Sequence, residues 1–301
     1  MALKRETAQK LTLALAASTV ALALAGCAGM AQDAGTPRKE TIYAVTASNK
    51  LISFNAGQPG KVLMQKAVTG LQANEVVLGI DYRVAKGMLY AIGSSGRLYR
   101  LDAASGAAQM VGAGPLAVPP SGSEFGFDFN PTVDRIRFVS NTGQNMRLHP
   151  DTGAVVDSDA NAAGLQIDGA LTYAAGDVNA GQTALVVGAG YTYNKQNEKL
   201  TTNFVIDASR GVLATQGTRE GKMPVVSPNT GQLFTVGALG IGAFQKAAFD
   251  ISDLSNAAFI ATSKTGEQKS AWYEVNLDSG KASMIGTIGV AETVVGIAIE
   301  P

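Results

Sequence analysis

Three aspartates stand at the same place in three copies of one short pattern. They are Asp81 in Leu78-Gly79-Ile80-Asp81-Tyr82, Asp128 in Phe125-Gly126-Phe127-Asp128-Phe129, and Asp250 in Ala248-Phe249-Asp250-Ile251. Carboxylates that recur in register converge when their repeats surround an axis, and converging carboxylates hold a hard cation such as calcium or grip a polar ligand. The competing use is structural: a buried carboxylate needs donors, and backbone N–H groups of its own repeat supply them. Thr172 and Ala298 take the matching place in two further copies, and no Glu, Asn or His joins the set. That broken ring favours the structural use. Glu75, Glu124 and Glu292 precede three of the copies at differing offsets and form a weaker candidate cluster at one end of such an axis.

A second oxygen-rich stretch has Asp157, Asp159 and Asn161 two residues apart, with Asp168 eleven residues after the first. This resembles the opening of a calcium loop, but Ala162 replaces the turn glycine, an Asp closes the set in place of Glu, and no helical pattern flanks it. A solvated loop explains the same residues. Tyr191, Tyr193 and Asn194, followed by Gln196 and Asn197, read as a contact loop for a sugar or protein, or as an exposed hairpin tip. The single histidine, His149, stands where Asp102 and Asn276 stand in sister repeats, just before a turn, so a turn cap accounts for all three. No Gly-x-Ser-x-Gly elbow and no phosphate-cradling glycine loop are present. No catalytic residue is assigned.

The single cysteine, Cys27, has a different chemistry. Lys4, Arg5 and Lys10 are followed by an uncharged run from Leu11 to Leu24, which is too short to span a bilayer. The run ends Leu24-Ala25-Gly26-Cys27, which resembles the lipobox of bacterial lipoproteins. The resemblance implies cleavage after residue 26 and acylation of the Cys27 thiol, with more than one acyl chain giving a stable membrane anchor. Ala28, not Asp, follows the cysteine, which favours the outer membrane, facing the periplasm or the surface. Acylation would also remove Cys27 from any zinc site or nucleophilic role. Residues 27–39, with Gly29, Gly35 and Pro37, read as a flexible tether to a domain spanning 40–301. Positive and negative side chains balance at 24 each, which gives nucleic acid no electrostatic footing.

What must position these groups is a repeat of short strands. After Leu78 to Tyr82 come Gly87 to Gly93, Gly96 to Asp102 and Ala107 to Val111, each alternating in polarity. The same four return from Phe125 and from Ala248, and the turns Ala104-Ser105-Gly106, Asp151-Thr152-Gly153, Asn229-Thr230-Gly231 and Asp278-Ser279-Gly280 agree. Four-stranded units at this spacing predict an all-β propeller. Ile42 to Met64 supply three strands with no inner one before them, and Val294 to Ile299 match an inner strand with nothing after, so the last strand closes the ring. Five blades are counted. The fourth, between Asp168 and Gly240, is read with Ala170 to Ala174 as its inner strand, leaving Ala184 to Tyr193 as an inserted hairpin or part of a sixth blade. A pair of β-sandwiches explains the alternation but not the matched ends.

The strings Asn141-Thr142-Gly143-Gln144-Asn145, Pro150-Asp151-Thr152-Gly153 and Tyr173-Ala174-Ala175-Gly176-Asp177-Val178-Asn179-Ala180-Gly181 resemble those of domain of unknown function 4394. That resemblance implies a secreted or surface-attached bacterial protein and brings no assigned activity. Two functions are carried forward: a non-catalytic envelope module that binds a protein or glycan, and a metal-dependent, lactonase-like hydrolase. Fold alone does not decide between them.

Overall fold

The computed structural model describes residues 35–301; the leader, Cys27 and the start of the tether lie outside the described residues. The chain folds as a five-bladed β-propeller. Blade 1 holds β1 (Thr41–Thr46), β2 (Lys50–Asn55) and β3 (Val62–Ala67), and blade 2 holds β4 (Val77–Arg83), β5 (Met88–Gly93), β6 (Leu98–Leu101) and β7 (Ala108–Val111). Blade 3 holds β8 (Phe125–Asn130), β9 (Arg135–Ser140) and β10 (Asn145–Leu148), with a single bridge from Leu148 to Val155 in place of a fourth strand. Blade 4 contains β11 (Thr172–Tyr173), β12 (Val186–Tyr191), β13 (Asn203–Asp207), β14 (Val212–Gln216) and β15 (Gln232–Ala238). Blade 5 is β16 (Lys246–Ile251), β17 (Ala258–Ser263), β18 (Ala271–Val275) and β19 (Ala282–Thr287), after which β20 (Val294–Ile299) returns to blade 1.

The inner strands pack in the cyclic order β20, β4, β8, β12, β16 and back to β20. They are buried on both faces, as in the unbroken burial of β12, whereas the outer β3 alternates and is largely exposed. Close approach around the axis depends on small residues two places before the axial position. A Cβ on Gly126 would lie 2.6 Å from the backbone nitrogen of Ala189, and one on Gly296 would lie 3.0 Å from that of Ile80. Gly79, Gly188 and Ala248 occupy the same place in the other blades.

Blade 4 departs from the expected register. Thr172 and Tyr173 form not the inner strand but the outermost, parallel to β15. The inner strand is β12, so the stretch read as an insertion or a sixth blade completes the fourth. The chain leaves blade 3, adds a strand to the rim of blade 4 and then returns to the axis, and this detour separates the inner strand from its expected place. The tether reading is also revised for its last residues. Arg38 donates its backbone N–H to Asn55 Oδ1 and its guanidinium to Glu274, each at 2.8 Å, and Gly35 accepts from Gln58.

Five apolar clusters fill the five interfaces between neighbouring blades. In the one joining blades 5 and 1, Trp272 stacks on Phe259, meets Phe54 edge-on and donates Nε1–H to Ala56 O at 2.9 Å. The cluster between blades 3 and 4 is the smallest, built around Val139, Leu171, Val186 and Val205 without a phenylalanine.

Closure follows the expected route: β20 pairs antiparallel with β1, with Ile42 opposite Ile299 and Ala44 opposite Ile297. Val294, Ile297 and Ile299 are all buried, and burying each large apolar side chain contributes about 1.5–3 kcal/mol. Their sum is comparable to a whole domain's net stability of about 5–15 kcal/mol. Deleting Val294 to Pro301 is therefore expected to abolish the cooperative thermal transition and expose dye-binding apolar surface. A cooperative melt at an unchanged midpoint would count against closure by this strand.

Candidate functional site

The axis brings together the three aspartates singled out by their repeats. Asp81, Asp128 and Asp250 are buried, and each offers a carboxylate oxygen within 4.8 Å of the others. Their donors define what they do. Asp81 accepts the N–H of Tyr82 at 2.7 Å and that of Phe129, in the next blade, at 2.7 Å. Asp250 accepts Ile251 N–H at 2.6 Å and Ile299 N–H, in blade 1, at 2.7 Å. Asp128 accepts Tyr191 N–H in blade 4 at 3.0 Å. The expected own-blade backbone pairing is present at Asp81 and Asp250, Asp128 is held by the following blade alone, and all three reach across to that blade. Thr172 has no part in this ring; Gly190 takes the axial position of blade 4, as Ala298 does that of blade 1.

Among the described residues no Lys, Arg or His forms a salt bridge to these three carboxyls. Burial, reinforced by the neighbouring acids, holds Asp81 and Asp128 well above the usual carboxylate range, and burial pushes Asp250 up to about 7. Asp253, just beyond β16, is raised to about 8, first by burial and then by the charge of Asp250. It lines a cavity of about 340 Å³ together with Arg83, Phe129, Asp134 and Tyr193. The cluster is therefore a proton-holding knot whose oxygens are largely occupied by backbone donors.

The remaining sequence candidates separate. In the calcium-loop stretch, Asp157 caps Asp159 and Gln166 backbone N–H groups, and Asp159 caps Asn161. Asp168 lies instead in a buried ion pair with Arg137 and Arg147, so the four do not gather as one ligand set. Tyr191 is buried at the base of a cleft between blades 3 and 4, and its hydroxyl accepts from Arg137 Nε at 3.2 Å. Tyr193 is half-buried and donates to Glu198, while Asn194 caps Gln196 and Asn197 in a local turn. His149 Nδ1 accepts Asp151 N–H at 3.2 Å, matching the caps made by Asp102 and Asn276. Glu75, Glu124 and Glu292 serve separate partners: Glu75 accepts from Tyr99, Glu292 binds Lys50, and Glu124 stands 4.0 Å from Lys246.

Sequence reasoning did not find the cleft between blades 3 and 4, of about 550 Å³. Arg135, Arg137 and Arg147 line one side, and Lys199, Arg219 and Lys222 lie among the residues of the other. Arg137 and Arg147 sit directly opposite on paired strands, an arrangement that repels unless an anion intervenes. Asp168 intervenes, at 2.6 Å from Arg137 and 2.8 Å from Arg147. Arg137 also donates to Asn145 at 2.8 Å and Asn229 at 2.7 Å, and Gln216 donates to Asn145 at 2.9 Å. The signal available in the sequence was the basic alternation Arg135-x-Arg137 followed by Arg147.

Among known proteins, the family described as domain of unknown function (DUF4394) matches residues 50–298. No curated protein matches the chain. Solved structures with a similar shape include a chain of a nidogen/laminin complex, at 10% identity over 87% of this chain and 98% of that one, with a TM-score of 0.46. A proposed 6-phosphogluconolactonase from Bacteroides uniformis matches at 13% identity over 83% of each chain, TM-score 0.39. A protein from Lactobacillus plantarum matches at 13% identity over 85% and 86%, TM-score 0.38. Likeness at this level extends to general shape and not to activity.

Two outcomes are expected from these buried charges. The axial acids have folded-state values above their unfolded ones, so their contribution to stability is complete at low pH and is lost as pH rises through about 7 to 8. Asp151 and Glu292, both lowered to about 2, act in the opposite sense but only in acid, and are constant above pH 5. The melting temperature is therefore expected to fall between pH 5 and 8, and the slope to flatten in Asp253→Asn; a flat wild-type profile would contradict the assignment. Separately, Asp168→Asn leaves two guanidiniums facing each other without their anion, and is expected to cost about 3–5 kcal/mol by denaturant melts. A loss below about 1 kcal/mol would mean solvent already screens the pair.

Proposed function

The chain belongs to the family of domain of unknown function 4394, and on that premise we propose that it is a lipid-anchored, non-catalytic binding module of the bacterial cell envelope. The observation that carries the non-catalytic reading is the occupancy of the axial carboxylates. Five oxygen-to-backbone bonds tie Asp81, Asp128 and Asp250 to strands of their own and neighbouring blades. A hydrolytic metal centre needs the reverse: mixed ligands turned toward an ion that keeps an open position for water and substrate. The anchor rests on the order of charge, apolar run and Leu24-Ala25-Gly26-Cys27. Acylated at Cys27, the propeller would be displayed beside the membrane, and the partner would be an envelope protein or glycan.

Two measurements test these parts separately. Calcium bound only by the folded state at a hundredfold over its Kd adds about 2.7 kcal/mol, which for a domain of this size raises the melting temperature by several degrees or so. Millimolar calcium is expected to move it by less than about one degree. A clear shift that disappears in Asp128→Asn would put the metal-dependent hydrolase ahead. Radiolabelled palmitate is expected to enter the wild type and not Cys27→Ser; equal labelling of both would remove the anchor.

A further inference from the structure

The cleft between blades 3 and 4 combines three features that its structural ion pairs, Arg137 and Arg147 with Asp168 and Arg219 with Asp278, do not use up. First, it holds an excess of positive charge in a chain whose charges balance at 24 each. Its six cations are offset only by Glu220 on the wall and by Asp168 and Asp278 behind it. The Arg135 guanidinium donates only to the backbone carbonyls of Val133 and Asp134. Arg147 reaches solvent, with its side chain 21% exposed against 2% for Arg137. Second, apolar side chains stand open on the same cleft: Val133 is 57% exposed, Leu200 38% and Val225 73%. Third, Asn203 lines it, and Asn203 Oδ1 is the buried side-chain polar atom without a hydrogen-bond partner among the described residues.

Each feature specifies part of a ligand. Guanidiniums in a recess select an oxyanion and favour a planar carboxylate. Exposed valine and leucine select an apolar body. An orphan acceptor selects an N–H or O–H donor. The volume, about 550 Å³, lies in the range of small-molecule sites, roughly 300–1,000 Å³. We propose that this cleft binds an α-amido carboxylate with an apolar side chain, its acid group toward Arg135 and Arg147, its amide N–H toward Asn203 and its side chain on Val133 and Val225. The chemistry is shared by a free N-acylated amino acid and by the carboxyl terminus of a peptide. This deepens the binding-module reading and rests on it for the site's being one of capture and not of turnover.

The test is calorimetric titration of the full-length protein in detergent with N-acetyl-L-leucine, its carboxamide, and a hexapeptide ending in a free leucine carboxylate. The acid is expected to bind and the carboxamide to bind at least about tenfold more weakly, the loss of one charge-assisted contact. Lys199→Glu with Lys222→Glu, both exposed, is expected to weaken the acid by about tenfold while leaving the ligand-free melting temperature unchanged. Arg147→Gln is expected to weaken it further. Tighter binding of the hexapeptide assigns the site to a peptide terminus, and equal or weaker binding to a free acyl amino acid. Equal binding of acid and carboxamide, no binding of any probe at millimolar concentration, or an acid affinity unmoved by the double charge reversal overturns the proposal. None of these results bears on the calcium melt, so the binding-module reading stands or falls separately.

Discussion

Everything in this propeller turns on how its inner strands meet at the axis. An inner strand has one neighbour in its own blade and one open edge, and the N–H groups on that edge must find acceptors where no water reaches them. Phe129, Tyr191 and Ile299 find theirs in the carboxylates of the preceding blade. One side chain therefore does three jobs: it satisfies a backbone donor, sets the spacing between two blades and fills the axis. The cost is three acidic groups within 4.8 Å of one another, which a low-dielectric interior tolerates only if some of them keep their protons. The raised Asp250 and Asp253 are the consequence of that packing and not a separate device.

The same constraint explains what could be read from the sequence. Where a blade contributes an axial aspartate, a Gly or Ala two places before it and a large apolar residue (Tyr82, Phe129 or Ile251) after it mark the inner strand, and blades 2, 3 and 5 were legible on that basis. Blade 1 was legible through its unmatched ends, because strand pairing leaves a missing partner conspicuous. Blade 4 was not. Its axial residue is Gly190, and Leu171-Thr172-Tyr173-Ala174 imitates the alternation of an inner strand while pairing on the opposite rim. Local alternation reports that a segment is half-buried in a sheet; it does not report which edge of the sheet it occupies. The residues 35–39 were misread for a related reason. A Gly- and Pro-containing segment with little to bury is expected to be loose, yet Arg38 is held by Asn55 and Glu274, residues far along the chain.

The candidate site shows a sharper limit. Asp81, Asp128 and Asp250 could be grouped because repetition maps position in the chain onto position in the ring. The residues of the cleft have no such map. Arg137 and Arg147 lie on adjacent strands and could have been paired by register, but Asp168, Asn203 and Gln216 join them only through the path the chain takes around blade 4. Asp168 illustrates this: its spacing from Asp157 suggested a calcium ligand, and the fold gives it two arginines instead.

These two regions are linked by the way interblade contacts are divided. Four of the interfaces carry larger apolar clusters, and recesses of about 690 Å³ beside blade 2 at Glu300 and about 590 Å³ between blades 4 and 5 lie at two of their outer rims. Between blades 3 and 4 the apolar cluster is smallest, and the outer part of the interface is built from arginines, asparagines and one carboxylate. Hydrogen-bonded polar groups hold fixed distances but do not collapse onto one another as aliphatic side chains do, so an interface assembled from them keeps a cavity open. The clasp from Asp128 to Tyr191 pins the inner ends of these two blades together. The outer ends are propped by Arg137, whose guanidinium spans Asp168, Asn145 and Asn229. The recess lies between a pinned inner edge and a propped outer one, and walls held in this way lower the ordering cost that binding has to meet.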